Sequence, residues 1–174
     1  MRPTNWYVIT GAPCSGKTAV INGLEQVGYQ VVHEVARAFI DVEIQKGKSI
    51  ARIKADIFAF ERHILDTKTD IENSLPEENI IFLDRAVPDS IGYYILEGLD
   101  PKDPIAKSKQ RQYKNIFFFE RLQFEKDQVR SEDDKIAARI DHLLKKSYQM
   151  LGYKIVYVPL LPVTERIDLI IDHL

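Results

Sequence analysis

Gly11-Ala12-Pro13-Cys14-Ser15-Gly16-Lys17-Thr18 has the spacing G-x-x-x-x-G-K-[ST], and each fixed position in that spacing has a chemical reason. The glycines let successive backbone N–H groups turn inward around an anion. Lys17 is placed to reach the β- and γ-phosphates of a nucleotide, and the Thr18 hydroxyl to meet Mg²⁺. Eight residues of loose pattern arise by chance, so the flanks decide. Upstream, Trp6-Tyr7-Val8-Ile9-Thr10 is an aromatic and β-branched run that reads as a buried strand. Downstream, Ala19 to Val27 is apolar at helical spacing and stops at Gly28. Strand, glycine loop and helix in that order make an anion site, because the helix N-terminus adds its own attraction for negative charge.

The remaining chain repeats the alternation. Tyr29 to His33 reads as a second strand, followed by a helical pattern through Val35, Phe39 and Val42 to Gly47. Ile53, Ile57, Phe60 and Ile64 recur at steps of four and three, which predicts one apolar helix face. Ile80-Ile81-Phe82-Leu83, closed by Asp84, is a continuous apolar run of the kind a doubly covered parallel strand needs. Asp89 is placed to cap a helix running to Gly98, and residues 100–104 read as a loop. Ile116 to Phe119 and Lys154 to Val158 supply a fourth and a fifth strand. Ser131 with Asp134 resembles a capping box for the helix between them. Alternation of this kind predicts an α/β fold: a parallel sheet, right-handed crossovers and helices on both faces. Ligands of such sheets sit beyond the carboxyl ends of the strands. Thr10-Gly11, Glu34, Asp84-Arg85, Glu120-Arg121 and Pro159 all fall at those ends and are expected around one cleft.

The bulk numbers narrow the class. The chain has 174 residues, 45% hydrophobic and 29% charged, with net charge −2 and a single cysteine. That length suits one domain, 1–174, with an adequate core. No basic field points to nucleic acid or an anionic membrane, and no disulfide framework is possible. Residues 1–5 carry no signal-type apolar stretch and no window suggests a membrane span, so a cytoplasmic protein is expected. Oligomeric state is not legible.

Several residues can carry chemistry. Asp84 after four apolar residues matches the position at which a second acidic group holds Mg²⁺. Arg85 either grips a phosphate or carboxylate bidentately or pairs with a neighbour such as Glu34. Glu34 and Arg37, three apart at a helix opening, share one face. Glu34 either takes a proton from a substrate hydroxyl or binds metal, with a surface pair to Arg37 as the plain alternative. The charge-dense stretch of about 120–131 joins the fourth strand to a helix at the cleft side. Its position suits a closing lid whose arginines, Arg121 and Arg130, neutralise charge on a transferred phosphoryl group. His33 is close enough to Glu34 in sequence to touch a substrate.

Taken together, the phosphate loop, Val31 to Arg37, Phe82 to Asp89 and Asp127 to Arg130 resemble the successive motifs of the AAA-type predicted P-loop ATPases and kinases. That family is related to the ribosylnicotinamide kinase domain of NadR-type proteins and, more distantly, to nucleoside and thymidylate kinases. The resemblance implies a P-loop NTPase fold, a three-layer α/β/α sandwich on a five-stranded parallel sheet of order 2-3-1-4-5, with a lid. It implies ATP and Mg²⁺ as cofactors: the nucleotide on Gly11, Ala12, Pro13, Cys14, Ser15, Gly16, Lys17 and Thr18, and Pro159 bordering the adenine. By the same resemblance Lys17, Glu34, Asp84, Arg121 and Arg130 are the catalytic set, and Thr18 and Asp84 serve the metal. Glu34, Arg37, Arg85 and Asp89 are left for a small hydroxyl-bearing acceptor, a nucleoside, nucleotide or riboside. The competing expectation is a regulatory module that hydrolyses ATP or GTP with no acceptor, its water placed by Gln123 or Gln128.

Overall fold

The structure, a computed structural model, describes residues 1–121 and 132–174, without the side chains of 132–134. Strand β1 (Arg2–Pro3) precedes β2 (Trp6–Thr10), every residue of which is buried. Helix α1 (Lys17–Gln26) and β3 (Gln30–Val32) follow, then α2 (Val35–Gln45), α3 (Ile50–Ile53) and α4 (Ile57–Ser74). Next come β4 (Ile81–Asp84), α5 (Asp89–Leu96), α6 (Lys102–Ser108), β5 (Arg111–Gln112) and β6 (Asn115–Phe119). The chain closes with α7 (Glu132–Met150), β7 (Ile155–Val158) and α8 (Val163–Ile171).

Five parallel strands form one sheet in the order β3-β4-β2-β6-β7. Counted along the chain among themselves, these are 2-3-1-4-5, the order the resemblance implies. The central strand is doubly paired, Val8 standing opposite Leu83 on one side and Ile116 on the other. Alternation of side chains then builds two cores. Tyr7, Ile9, Phe82, Phe117 and Phe119 face Val20, Ile21 and Leu24 of α1 and Ile167 and Ile170 of α8. Trp6, Val8, Ile81, Leu83 and Ile116 face the other way, against Tyr113 and Tyr148. Both faces covered by helices make the three layers.

Two expectations are revised, and one element is added. The apolar face from Ile53 to Ile64 does not lie on one helix: the backbone breaks at residues 54–56 between α3 and α4. Asp56 causes the restart, its carboxylate accepting from Ala59 N at 2.9 Å. The stretch read as a loop at 100–104 runs into α6, whose Pro104 sits in the first turn, where no intrahelical donor is lost. Arg2–Pro3 pairs in parallel with Arg111–Gln112 as a separate two-stranded sheet, too short to leave a sequence signal.

Helix α5 lies close on α7. A Cβ on Gly92 would stand 3.1 Å from Leu144 Cδ2 and 3.3 Å from Leu144 N, backbone that cannot give way. Gly92→Val is therefore expected to lower stability by about 1–3 kcal/mol, overpacking outweighing the improved helix propensity. Urea unfolding of the variant against wild type measures it.

Candidate functional site

The phosphate loop spans the gap between β2 and α1 by unusual backbone. Gly11 has φ 134°, and a Cβ there would lie 2.7 Å from the carbonyl oxygen of Phe119, so the loop leaves the sheet against the tip of β6. Gly16 has φ 83° at the cap of α1, and Cys14, exposed, also adopts a positive φ. Ser15 Oγ donates to Ala12 O at 3.0 Å. Lys17 is buried and turns back over the loop, donating to Ala12 O at 2.8 Å and Ser15 Oγ at 3.0 Å. Burial, with the nearby Arg85 guanidinium, lowers its pKa to about 8. Its ammonium is thus held by loop oxygens that a bound anion can replace. Thr18 stands exposed in the first turn of α1.

The tips of β3 and β4 bring the acidic groups. Glu34 caps α2 and Asp84 ends β4, and both carboxylates act on Lys17. Arg85 follows in the left-handed region (φ 67°), a costly conformation for a residue with a long side chain. Its guanidinium is buried between two carboxylates: Nε donates to Glu34 Oε1 at 2.9 Å, and Nη1 to Asp89 Oδ1 at 3.4 Å. It also lies over the Tyr93 ring, 5.6 Å from the centroid. Arg85 is therefore an ion-pair partner of Glu34, one of the two roles open to it on sequence.

Asp84 is different. Its Oδ1 is sealed from solvent and accepts no hydrogen bond among the described residues. Burial, then the neighbouring Glu34, pushes its pKa up to about 6. A buried carboxylate oxygen with no donor is what a cation ligand looks like without its cation. Among the described residues no three His, Cys, Asp or Glu side chains gather into a metal cage. Mg²⁺ takes few protein ligands and completes its shell with phosphate and water, so the free carboxylate oxygen of Asp84 is chemically compatible with it.

The other expected residues fall in three places. Asp89 has no exposed surface, and it is not an acceptor contact: it accepts from Thr10 Oγ1, Tyr148 OH and Ala86 N as well as Arg85. Arg37 points out along α2 to Asp41 at 3.1 Å, not to Glu34 or the cleft. His33 likewise pairs on the surface with Glu25 at 3.3 Å. On the far flank of the loop, Arg121 Nε donates to Asp141 Oδ2 at 2.7 Å, and Asp141 Oδ1 accepts from Ala12 N at 2.8 Å. Pro159 is exposed just past β7, beside the tip of β6, where Glu120 N donates to Val158 O. Arg130, Gln123, Gln128 and Ser131 lie outside the described residues, with most of the lid.

Sequence reasoning missed Asp141 and Arg166, both of which touch the loop. Arg166 Nη1 donates to Ser15 O at 2.9 Å. Asp141 sits in a helix with nothing local to mark it. Arg166 is one of several charges on an amphipathic helix, and only the packing of α8 on α1 shows where it points.

A glycine loop, an inward lysine and an acidic strand tip on a 2-3-1-4-5 parallel sheet define a P-loop nucleoside-triphosphate-binding fold of the kinase-like type. The chain belongs to the family described as AAA domain, which matches residues 6–166. Among solved structures it is similar to a NadR protein in complex with NR, at 18% identity and TM-score 0.71, covering 98% of this chain and 50% of that one. It is also similar to thymidylate kinase from Ehrlichia chaffeensis (12% identity, TM-score 0.66, 99% of this chain and 98% of that one). Deoxyadenosine kinase from M. mycoides with bound dATP matches at 17% identity and TM-score 0.64, over 96% of this chain and 97% of that one. The chain thus spans about half the length of the NadR protein. No curated protein sequence matches it. At these identities the likeness is one of fold.

Ionising Asp84 in the ligand-free protein is unfavourable, since its folded pKa of about 6 lies above the ordinary 3.8. Stability from the neutral form is present below the ordinary pKa and lost as pH rises through about 6. Asp84→Asn is therefore expected to stabilise the metal- and nucleotide-free protein by up to about 3 kcal/mol at pH 8. The gain shrinks steadily toward pH 4, and thermal or urea unfolding with chelator across that range follows it.

Proposed function

We propose that the chain is an ATP-dependent phosphotransferase whose acceptor is a small hydroxyl-bearing molecule, a nucleoside, nucleotide or riboside. The observation that carries this reading is the meeting of Lys17, Glu34 and Asp84 at the phosphate loop, with one oxygen of Asp84 unpartnered among the described residues. Two carboxylates beside a phosphate-binding lysine give one group for metal and one for the acceptor hydroxyl. The fold neighbours support it: one NadR structure is described as a complex with NAD and AMP-PNP, and the others are kinases by name.

Division of labour follows from the partners each group already has. The loop amides and Lys17 would hold the β- and γ-phosphates, Lys17 exchanging Ala12 O and Ser15 Oγ for phosphate oxygens. Thr18 and Asp84 would hold Mg²⁺, which, when bound, neutralises charge spread over those phosphates. Glu34 is the candidate acceptor carboxylate. Its Oε1 is engaged by Arg85, while Oε2 accepts no hydrogen bond among the described residues and the side chain is about one-third open, 30% exposed. Arg85 fixes Glu34 in direction, so the free oxygen can orient a hydroxyl and take its proton. Arg121, beside the loop through Asp141, and Arg130 in the lid are the proposed sources of charge neutralisation on the transferring group. Positioning and electrostatics, rather than covalent help, would supply most of the rate.

Release of ADP from ATP and Mg²⁺, measured with and without a panel of nucleosides, nucleotides and ribosides, is the test. Acceptor-stimulated release is expected. Glu34→Gln should lower it by roughly 10²–10⁴ while leaving ATP affinity near wild type, and Lys17→Ala should lose nearly all turnover while folding normally. Equal release with every acceptor and with none, and no acceptor binding by calorimetry, would replace the kinase reading with that of a hydrolase.

A further inference from the structure

Helix α8 packs so tightly on α1 that a Cβ on Gly23 would come within 2.4 Å of Ile167 Cδ1. That approach carries Arg166, the residue before Ile167, to the outer side of the phosphate loop. Its side chain is buried, 8% exposed, with the guanidinium 5.7 Å from the centroid of the Phe119 ring. Nη1 donates to the carbonyl of Ser15, and a Cβ on Gly16 would sit 2.9 Å from that same nitrogen. Nε is sealed from solvent without an acceptor among the described residues. No carboxylate lies within ion-pair distance of Arg166 among the described residues, whereas the similarly buried Arg85 has two.

A guanidinium withdrawn from water without a counter-ion is unfavourable, and an orphaned N–H adds to the cost. Packing alone does not account for the choice, since an apolar side chain of similar length would fill the space against Phe119 without it. We propose that Arg166 is a positioning residue for the phosphate loop and that its counter-ion is the polyphosphate bound on the loop's inner side. The proposal rests on the nucleotide reading of the loop. The physical route is short. Donation to Ser15 O holds the Ser15–Gly16 peptide in the orientation that turns the Gly16 N–H away from Arg166 and toward the anion. It also polarises that peptide, which strengthens its N–H as a donor. The charge itself adds to the field of the α1 N-terminus and Lys17.

Calorimetry of the full chain with ATP·Mg²⁺ and with inorganic tripolyphosphate, together with ligand-free thermal unfolding, tests this. Arg166→Met should weaken both ligands by about tenfold to a hundredfold while leaving the ligand-free midpoint unchanged or raised. KM for ATP should rise with KM for the acceptor unmoved. Arg166→Lys should recover part of the affinity by restoring charge. If Arg166→Met does not fold, Arg166→Gln, which keeps a donor without the charge, carries the same comparison. Affinities within twofold of wild type would overturn the proposal. So would a ligand-free midpoint that falls in step with affinity, or a loss for ATP with none for tripolyphosphate. A wild-type chain that binds neither ligand would instead sink the nucleotide reading itself.

Discussion

A carboxylate with no surface of its own, that of Asp89, holds the strand tips in register. It accepts from Thr10 at the end of the central strand, from the Ala86 amide in the turn after β4, from Tyr148 of α7 and from Arg85. A buried carboxylate short of donors would destabilise the fold by several kcal/mol, so each of these partners is held to its place as firmly as it holds the acid. Arg85 shows the consequence. Its left-handed backbone is unfavourable, but both ends of its guanidinium are gripped, by Glu34 on one side and Asp89 on the other, and the conformation persists. The direction of Glu34 therefore depends, through Arg85, on the fully buried Asp89.

Around the loop the charges are arranged the opposite way. Lys17 is buried with only neutral oxygens as hydrogen-bond partners, and Arg166 with a carbonyl and an aromatic face. Asp84 keeps an oxygen without a donor among the described residues. Each of these is locally unfavourable, and all three border the phosphate loop: two cations without a carboxylate hydrogen-bond partner and a carboxylate oxygen without a donor, among the described residues. On the proposed reading a magnesium–triphosphate supplies both deficits at once. Because Lys17 already points along the loop, binding exchanges partners and needs little rearrangement of the chain.

How much of this could be read from the chain follows from the range of each interaction. The loop, its flanking strand and helix, and Asp84 at a strand end are local patterns, and the structure has them where the spacing puts them. The sheet order is legible only through resemblance, since alternation of strands and helices does not say which strands are neighbours. Periodicity misled at Ile53 to Ile64 because α3 and α4 present apolar residues to the same hydrophobic cluster across a break. Asp89 has the composition of a binding residue, and only the approach of Tyr148, 59 positions away, reveals it as buried. Arg166 is 151 positions from the carbonyl it holds. No window of sequence contains both.

The acceptor side differs from the nucleotide side in a way that bears on recognition. There the described cations are already answered: Arg85 by Glu34 and Asp89, Arg37 by Asp41. Buried Lys68 donates to Ala86 O at 3.4 Å and lies near Asp89, Glu61 and Glu34. Arg85 spends its Nε and one Nη1 donor on these two carboxylates, and withdrawing it would strand both acids in a low-dielectric site. On the proposed reading, an acceptor hydroxyl on this side would meet the oxygen of Glu34 that Arg85 leaves free. The pairing that fixes Glu34 in space would then also set the direction from which a hydroxyl can approach it.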